Sequence, residues 1–167
     1  MAPQEAAIGL AAPSQSAGPD TGRPDLDTRS QIHDLVVTFY RELIMDEVLG
    51  PVFEDVAEVD WSTHIPLLID FWCRALLGHQ SYQGTILAAH RRVHEQDAFT
   101  ADHFDRWYGL WAATIDQRSS GPLADKARDQ AAKVARSMAR QLPQIEWEPS
   151  ASSDSLEEHP SGCPATV

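Results

Sequence analysis

The chain has 167 residues, enough for one domain with a buried core and too few for two of ordinary size. Its 25 acidic side chains outnumber its 13 basic ones, which gives a net charge of −12 with neutral histidines. A surface of that sign repels phosphate backbones, and no run of the sequence approaches the roughly 20 apolar residues of a membrane span. We therefore expect neither nucleic acid nor a membrane as a partner.

The cysteines and the start of the chain favour a reducing compartment. Cys73 falls in an apolar helical run and Cys163 in a polar segment, so a disulfide between them is not expected. Residues 1–18 have no basic cluster and no long apolar stretch, so the pattern does not predict a secretory signal. We expect a monomeric protein of the cytoplasm.

Composition divides the chain into three parts. Residues 1–26 are rich in Ala, Pro, Gly, Ser and Gln, and residues 143–167 mix acidic side chains with Pro and Ser. Such segments bury too little apolar surface to offset the entropy lost on ordering. We expect a disordered arm over 1–26, a folded domain over 27–142 and a disordered acidic tail over 143–167.

The domain begins with two predicted helices. Asp27 or Thr28 can cap the first, and its apolar positions recur at steps of three and four residues: Ile32, Leu35, Val36, Phe39 and Leu43. Gly50 and Pro51 then break the chain before a short connector. Asp60 can cap the second helix and Gly78 can end it. The apolar stripe of the second helix comprises Trp61, Ile65, Leu68, Trp72 and Leu76.

Three more helices are predicted after this pair. The third, within 85–96, carries Ile86, Leu87, His90 and Val93 on one stripe. Thr100 can cap the fourth helix, whose apolar positions are Phe104, Trp107, Tyr108, Trp111 and Ile115. Pro122 suits the first position of the fifth helix, whose apolar positions are Ala127, Ala131, Val134, Ala135, Met138 and Leu142. No stretch alternates long enough to indicate a strand, so the predicted fold class is all-α.

Four polar residues lie in or beside these apolar stripes. His90 stands alone on the third stripe, while Tyr40, His64 and Trp107 lie on other helices. One neutral imidazole together with a few donors in hydrophobic walls is what a haem pocket requires. A core histidine is nevertheless more often a hydrogen-bonded structural residue, and aromatic stripes are usually packing. His90, His94 and Glu95 also have spacing that could seat zinc, but the HExxH pattern is absent.

A set of short motifs, in order, resembles the third group of the truncated haemoglobins. The matching motifs are Phe39-Tyr40, Leu49-Gly50-Pro51-Val52-Phe53, Trp61-x-x-His64-x-Pro66, Phe71-Trp72, Tyr82-x-Gly84, His90, His103-Phe104-x-Arg106-Trp107 and Leu110-Trp111. The resemblance covers residues 30–142, and the chain lacks the Gly-Gly pairs of the other two groups. It departs from the family at Ile86, where a proline is common, and it carries the extra His94.

The resemblance implies a shortened globin in which helices pack two over two around haem b. It implies that His90 binds the iron and that Tyr40, His64 and Trp107 face the bound gas. The remaining pocket residues that it implies are Phe53 and Leu68 against the porphyrin, with Phe71 and Trp72 lining or closing the pocket. Donors aimed at an oxygen molecule that carries partial negative charge would retain it, since such a hydrogen bond contributes about 1.5–3 kcal/mol.

Three functions remain open at this level. The first is reversible binding of O₂, and with it NO or CO, at the haem iron. The second is a haem-dependent redox enzyme, an NO dioxygenase or a peroxidase-like enzyme, which would need an external reductase because the chain contains no reductase domain. The third is a helical interaction module without a cofactor.

Overall fold

The computed structural model of the chain describes residues 22–57, 59–80 and 86–149. The regular secondary structure of those residues is entirely helical, with no strand among them, which confirms the all-α prediction. The elements are α1 (Arg29–Ile44), a π-helical turn (Val52–Val56), α2 (Trp61–Leu77), α3 (Ile86–Gln96), α4 (Ala101–Arg118) and α5 (Pro122–Gln141). None of the helices in these ranges combines the length and apolar character that a bilayer crossing requires. Tyr82, Gly84 and most of both predicted tails lie outside the described residues.

The helix ends follow the predicted capping residues. Thr28 begins α1 in a reciprocal capping box, in which its backbone N–H donates to the Gln31 side chain at 2.8 Å and its hydroxyl accepts from the Gln31 N–H at 3.3 Å. Asp60 accepts from the backbone N–H two residues further on at 3.0 Å and so caps α2. Gly78 ends α2 with φ = 77°, a left-handed conformation that favours glycine. These local predictions are confirmed.

Four helices form a sandwich, and α3 stands beside it. Helix α1 packs on α2 and α4, and α5 packs on the same two helices, so we call these four the helix sandwich. Helix α3 makes its main contact with the π-helical turn instead. The third helix is therefore held at the edge of the core, which leaves room between α3 and the sandwich.

Tryptophan and alanine side chains fill the centre of the sandwich. Trp111 is fully buried, stacks on Trp72 with ring centroids 4.3 Å apart and meets the edge of Phe39 at 4.9 Å. Its indole N–H donates to the Ala127 carbonyl at 3.4 Å, so the buried donor has a partner. Cys73 is buried in the same core as a free thiol. The small buried side chains of α5 let that helix approach its neighbours closely.

The connector after α1 is held by one buried carboxylate. Asp46 accepts from the backbone N–H groups of Val48 and Leu49, both at 3.0 Å, and from the Arg106 side chain at 2.5 Å. Burial opposes its ionisation, but these hydrogen bonds hold the pKa of Asp46 below its usual range. A Cβ atom on Gly50 would lie 2.5 Å from the Ile44 carbonyl oxygen, so only glycine fits this close approach. The sequence indicated only a break and a short connector here, and the structure shows that the connector contains the π-helical turn.

Packing extends past both predicted domain boundaries. Leu26 is fully buried, and Asp25 caps α5 by accepting from the Leu123 and Ala124 N–H groups at 3.0 and 2.8 Å. Residues 143–149 form what we call the C-terminal strap, in which Ile145 and Trp147 are buried. Composition gave no sign of this order, because two or three anchoring side chains are enough to fix a short segment against an existing core.

Trp147 provides a test of the C-terminal strap. Its ring packs on Phe104 and Tyr108, and its indole N–H donates to the Asp105 carboxylate at 2.7 Å. We expect W147A to lower the free energy of unfolding by about 3 kcal/mol, within the usual range for buried aromatic truncations. W147F keeps the ring contacts and loses only the hydrogen bond, so it should cost about 1 kcal/mol. Urea unfolding measures the free energy of unfolding of both variants. If neither variant were less stable than wild type, the strap would not be packed in solution.

Candidate functional site

A largely apolar cavity of about 310 Å³ lies where α3 stands off from the helix sandwich. All five helices and the connector contribute to its walls. The residues that surround it are Tyr40, Leu49, Val52, Phe53, Ala57, Val59, His64, Leu67, Leu68, Phe71, Trp72, Ala89, His90, Val93, Phe99, His103, Phe104, Trp107, Val134, Ala135 and Met138. None of these described lining residues is a lysine, an arginine or a carboxylate, so the polarity of the cavity comes from hydroxyl, indole and imidazole groups.

The structure brings all eight predicted site residues to this one cavity. They come from four helices and the π-helical turn, and they are far apart in the sequence. The eight residues are Tyr40, Phe53, His64, Leu68, Phe71, Trp72, His90 and Trp107. Periodicity had placed Leu68, Trp72, His90 and Trp107 on apolar stripes, with His64 and Tyr40 in or beside them. Phe53 and Phe71 were expected in the pocket only from the resemblance. The packing of the elements brings all eight residues to one space.

Tyr40 and Trp107 line the cavity together. Tyr40 has only 6% of its surface exposed, and burial raises the pKa of its phenol well above the ordinary value. The Trp107 side chain opposes that rise only in part. The indole N–H can only donate and the phenol can both donate and accept, so both side chains bring hydrogen-bond donors to the cavity. Phe39 supports both rings edge-on, at centroid distances of 4.8 and 5.8 Å.

His64 adds a half-buried imidazole to the same wall. Its ring lies 6.1 Å from that of Tyr40 and 6.0 Å from that of Trp61, with both contacts nearly perpendicular. Burial, and after it the charge of protonated His90, lower the pKa of His64 below the ordinary value. The neutral ring that results can donate from one nitrogen and accept at the other.

His90 is the site residue that α3 contributes. It is half-buried and lines the cavity, with its ring 6.2 Å from that of Phe99. Ala89 and Val93 flank it on the same wall. An imidazole in its neutral form presents a lone pair that can bind a metal or accept a hydrogen bond.

Two further histidines hold the corner between α3 and α4. The Nδ1 atom of His94 accepts from the Phe99 N–H at 3.0 Å, and the Nδ1 atom of His103 accepts from the Thr100 N–H at 3.0 Å. His94 therefore closes the chain turn after α3, and His103 completes the cap of α4. Within the described residues no three His, Cys, Asp or Glu side chains are grouped as a metal site would require.

The sequence analysis missed part of the cavity wall. Phe99 and His103 line it, although the corner between α3 and α4 had no predicted role. Val134, Ala135 and Met138 of α5 line it as well. Val134, Ala135 and Met138 were placed on the apolar stripe of α5, but a stripe does not say whether its residues face a filled core or an open space.

The fold is similar to that of a solved truncated globin. The structure of group III truncated hemoglobin from Campylobacter jejuni matches this chain with a TM-score of 0.63 and 23% sequence identity. The match covers 73% of this chain and 96% of that one. Comparison with protein-family models found no match, and comparison with curated proteins found none. The likeness confirms the predicted shortened-globin fold.

The buried phenol of Tyr40 predicts a loss of stability at alkaline pH. An unfolded tyrosine ionises near pH 10, while the folded pKa is raised, so the stabilisation is complete below about pH 10 and is lost as the pH rises towards the folded value. Between about pH 10 and the folded pKa, the free energy of unfolding of wild type should fall by up to about 1.4 kcal/mol per pH unit more than that of Y40F. Urea midpoints measured from pH 8 to 11 test this, and parallel curves for the two proteins would contradict it.

Proposed function

We propose that this chain is a haem protein that binds a diatomic gas reversibly. The observation that carries the proposal is the cavity itself, in which the imidazole of His90 shares largely apolar walls with the phenol of Tyr40 and the indole of Trp107. A lone imidazole and a few donors in a hydrophobic space are the groups with which a protein ligates haem iron and holds a gas beside it. The structurally similar protein is a truncated hemoglobin, which is a second and independent support.

The residues present fit a haem group. The cavity volume of about 310 Å³ lies within the range of about 300–1,000 Å³ for small-molecule sites, and the walls are mostly hydrocarbon. His90 would hold the iron, and the flat side chains of Phe53 and Trp72, with Leu68 and Phe71, would contact the porphyrin. Neither cysteine belongs to a Cys-x-x-Cys-His sequence, the pattern for covalent attachment, so the group proposed is haem b.

The iron supplies the bond to the gas, and the protein supplies the surroundings of that bond. The phenol of Tyr40 and the indole of Trp107 can each donate a hydrogen bond to an acceptor in the cavity. Burial keeps Tyr40 protonated and His64 neutral, so neither brings a net charge into the apolar space. The largely apolar walls lower the local dielectric constant, which strengthens each hydrogen bond made inside. O₂, NO and CO are the proposed ligands.

The decisive test of the proposed function is the absorption spectrum of the protein with haem. Purified wild type with one equivalent of haem should show a strong Soret band, and the reduced protein should show a shift of that band on adding CO or O₂. H90G should lose this spectrum, and added imidazole should restore it, because the free ring replaces the missing ligand. H33A is the matched control, since His33 is exposed on α1 and does not line the cavity.

Two outcomes would contradict the proposal. A wild type that remains colourless with haem would favour the interaction module without a cofactor. An H90G spectrum identical to that of wild type would show that another side chain ligates the iron.

Loss of the Tyr40 hydroxyl should weaken gas retention. A hydrogen bond to an acceptor with charge contributes about 1.5–3 kcal/mol, so Y40F should release O₂ about 10–100 times faster than wild type. Stopped-flow measurement of O₂ dissociation from the reduced protein gives the rate. Y108F serves as the control, because Tyr108 is on the same helix as Trp107 but does not line the cavity. An unchanged rate in Y40F would assign the stabilising donor to another residue.

A further inference from the structure

Among the lining residues that the structure describes, His103 is the histidine to which the proposed function gives no role. It lies on α4 one helical turn before Trp107, so both side chains face the cavity from the same side of that helix. Both hydrogen bonds that its ring makes in the described part of the chain involve Nδ1, which accepts from the Thr100 N–H at 3.0 Å and contacts the Thr100 hydroxyl at 3.2 Å. The cap of α4 therefore engages one edge of the ring only.

The cap also fixes the position of the ring proton. A backbone N–H can only donate, so Nδ1 must present its lone pair to Thr100, and a neutral ring then carries its proton on Nε2. No protein acceptor for that Nε2–H lies among the described residues. A donor held in one tautomer and one orientation by a helix cap is suited to bind an acceptor group on a ligand.

The groups on the cavity wall indicate what kind of acceptor the His103 Nε2–H would bind. No lysine or arginine is among the described lining residues, so an anionic group that enters the cavity finds no cation there. Arg91 and Arg92 are exposed on α3 and do not line the cavity, and Arg106 is paired with Asp46. Asp102 lies next to His103 in the sequence but lines a different surface groove. The described residues of the cavity wall therefore include no carboxylate.

We propose that His103 holds a carboxylate of the cavity occupant, a haem propionate, through its Nε2–H. The assignment rests on the proposed haem-binding function and adds an anchor to it at the corner between α3 and α4. His103 would then have two roles: its Nδ1 completes the cap of α4, and its Nε2–H would donate to the carboxylate of the bound group.

A comparison of two iron porphyrins tests this anchor. The first is iron protoporphyrin IX, and the second is its dimethyl ester, in which the same two side chains carry no charge. Replacement of His103 by leucine should lower the affinity for the acid about 10-fold more than the affinity for the ester, as expected for a lost hydrogen bond to a charged acceptor. A general loosening of the corner would lower the affinities for the acid and for the ester by the same factor, so the ratio of the two affinities would not change.

The chain offers a matched control at the same corner. His94 also accepts a backbone N–H at 3.0 Å through Nδ1, but it does not line the cavity. H94L should therefore change both affinities by the same factor. H103Q should retain the preference of wild type for the acid, because the glutamine amide keeps an acceptor for Thr100 and a donor beside it, as Gln31 does in the capping box of α1. If the leucine variant does not fold, H103E keeps the cap without the donor and should also lose the preference.

The outcomes separate this inference from the proposed function. Equal changes for the acid and the ester in H103L, or in H103E, would overturn the role of His103 while leaving haem binding intact. If H94L lost the preference for the acid as fully as H103L, the preference would depend on the corner as a whole. That result would also overturn the role of His103. A wild type that binds neither porphyrin would overturn the proposed function and this anchor with it.

Discussion

The arrangement of this protein depends on keeping an apolar space open between α3 and the helix sandwich. Protein interiors normally pack as densely as organic crystals, and unfilled volume costs stability because the lining atoms lose their contact partners. Here about 310 Å³ is left beside His90, although leucine, phenylalanine and tryptophan side chains surround it. A ligand that fills such a space recovers the missing contacts and stabilises the folded state through its own binding.

The walls of this space are built so that its polar groups remain neutral. Tyr40 is buried, and burial raises the pKa of its phenol. Burial, and after it the electrostatic effect of His90, lower the pKa of His64 and favour its uncharged form. Burial of an unpaired charge would cost far more free energy than burial of either neutral donor. The cavity therefore offers a ligand hydrogen bonds from neutral groups.

The cavity also depends on segments that lie outside the four long helices. Asp46 holds the connector that supplies Leu49 and Val52 to the wall, while His94 and His103 hold the corner that supplies Phe99. In each place a side-chain acceptor takes up backbone N–H groups that no helix satisfies. These polar contacts position the apolar side chains that the cavity needs.

The helices, their caps and the apolar face of each could be predicted from the sequence, because helical periodicity and capping are local properties of the chain. The same patterns identified Tyr40, His64, His90 and Trp107 as unusual polar residues in or beside apolar stripes. The tertiary structure was needed to show that the apolar faces of α3 and α5 border an open space, and that His103 belongs to its wall. The tertiary structure was also needed to show that Leu26 and Trp147 are packed. Neither an apolar stripe nor a short polar segment indicates which residues will pack against that part of the chain.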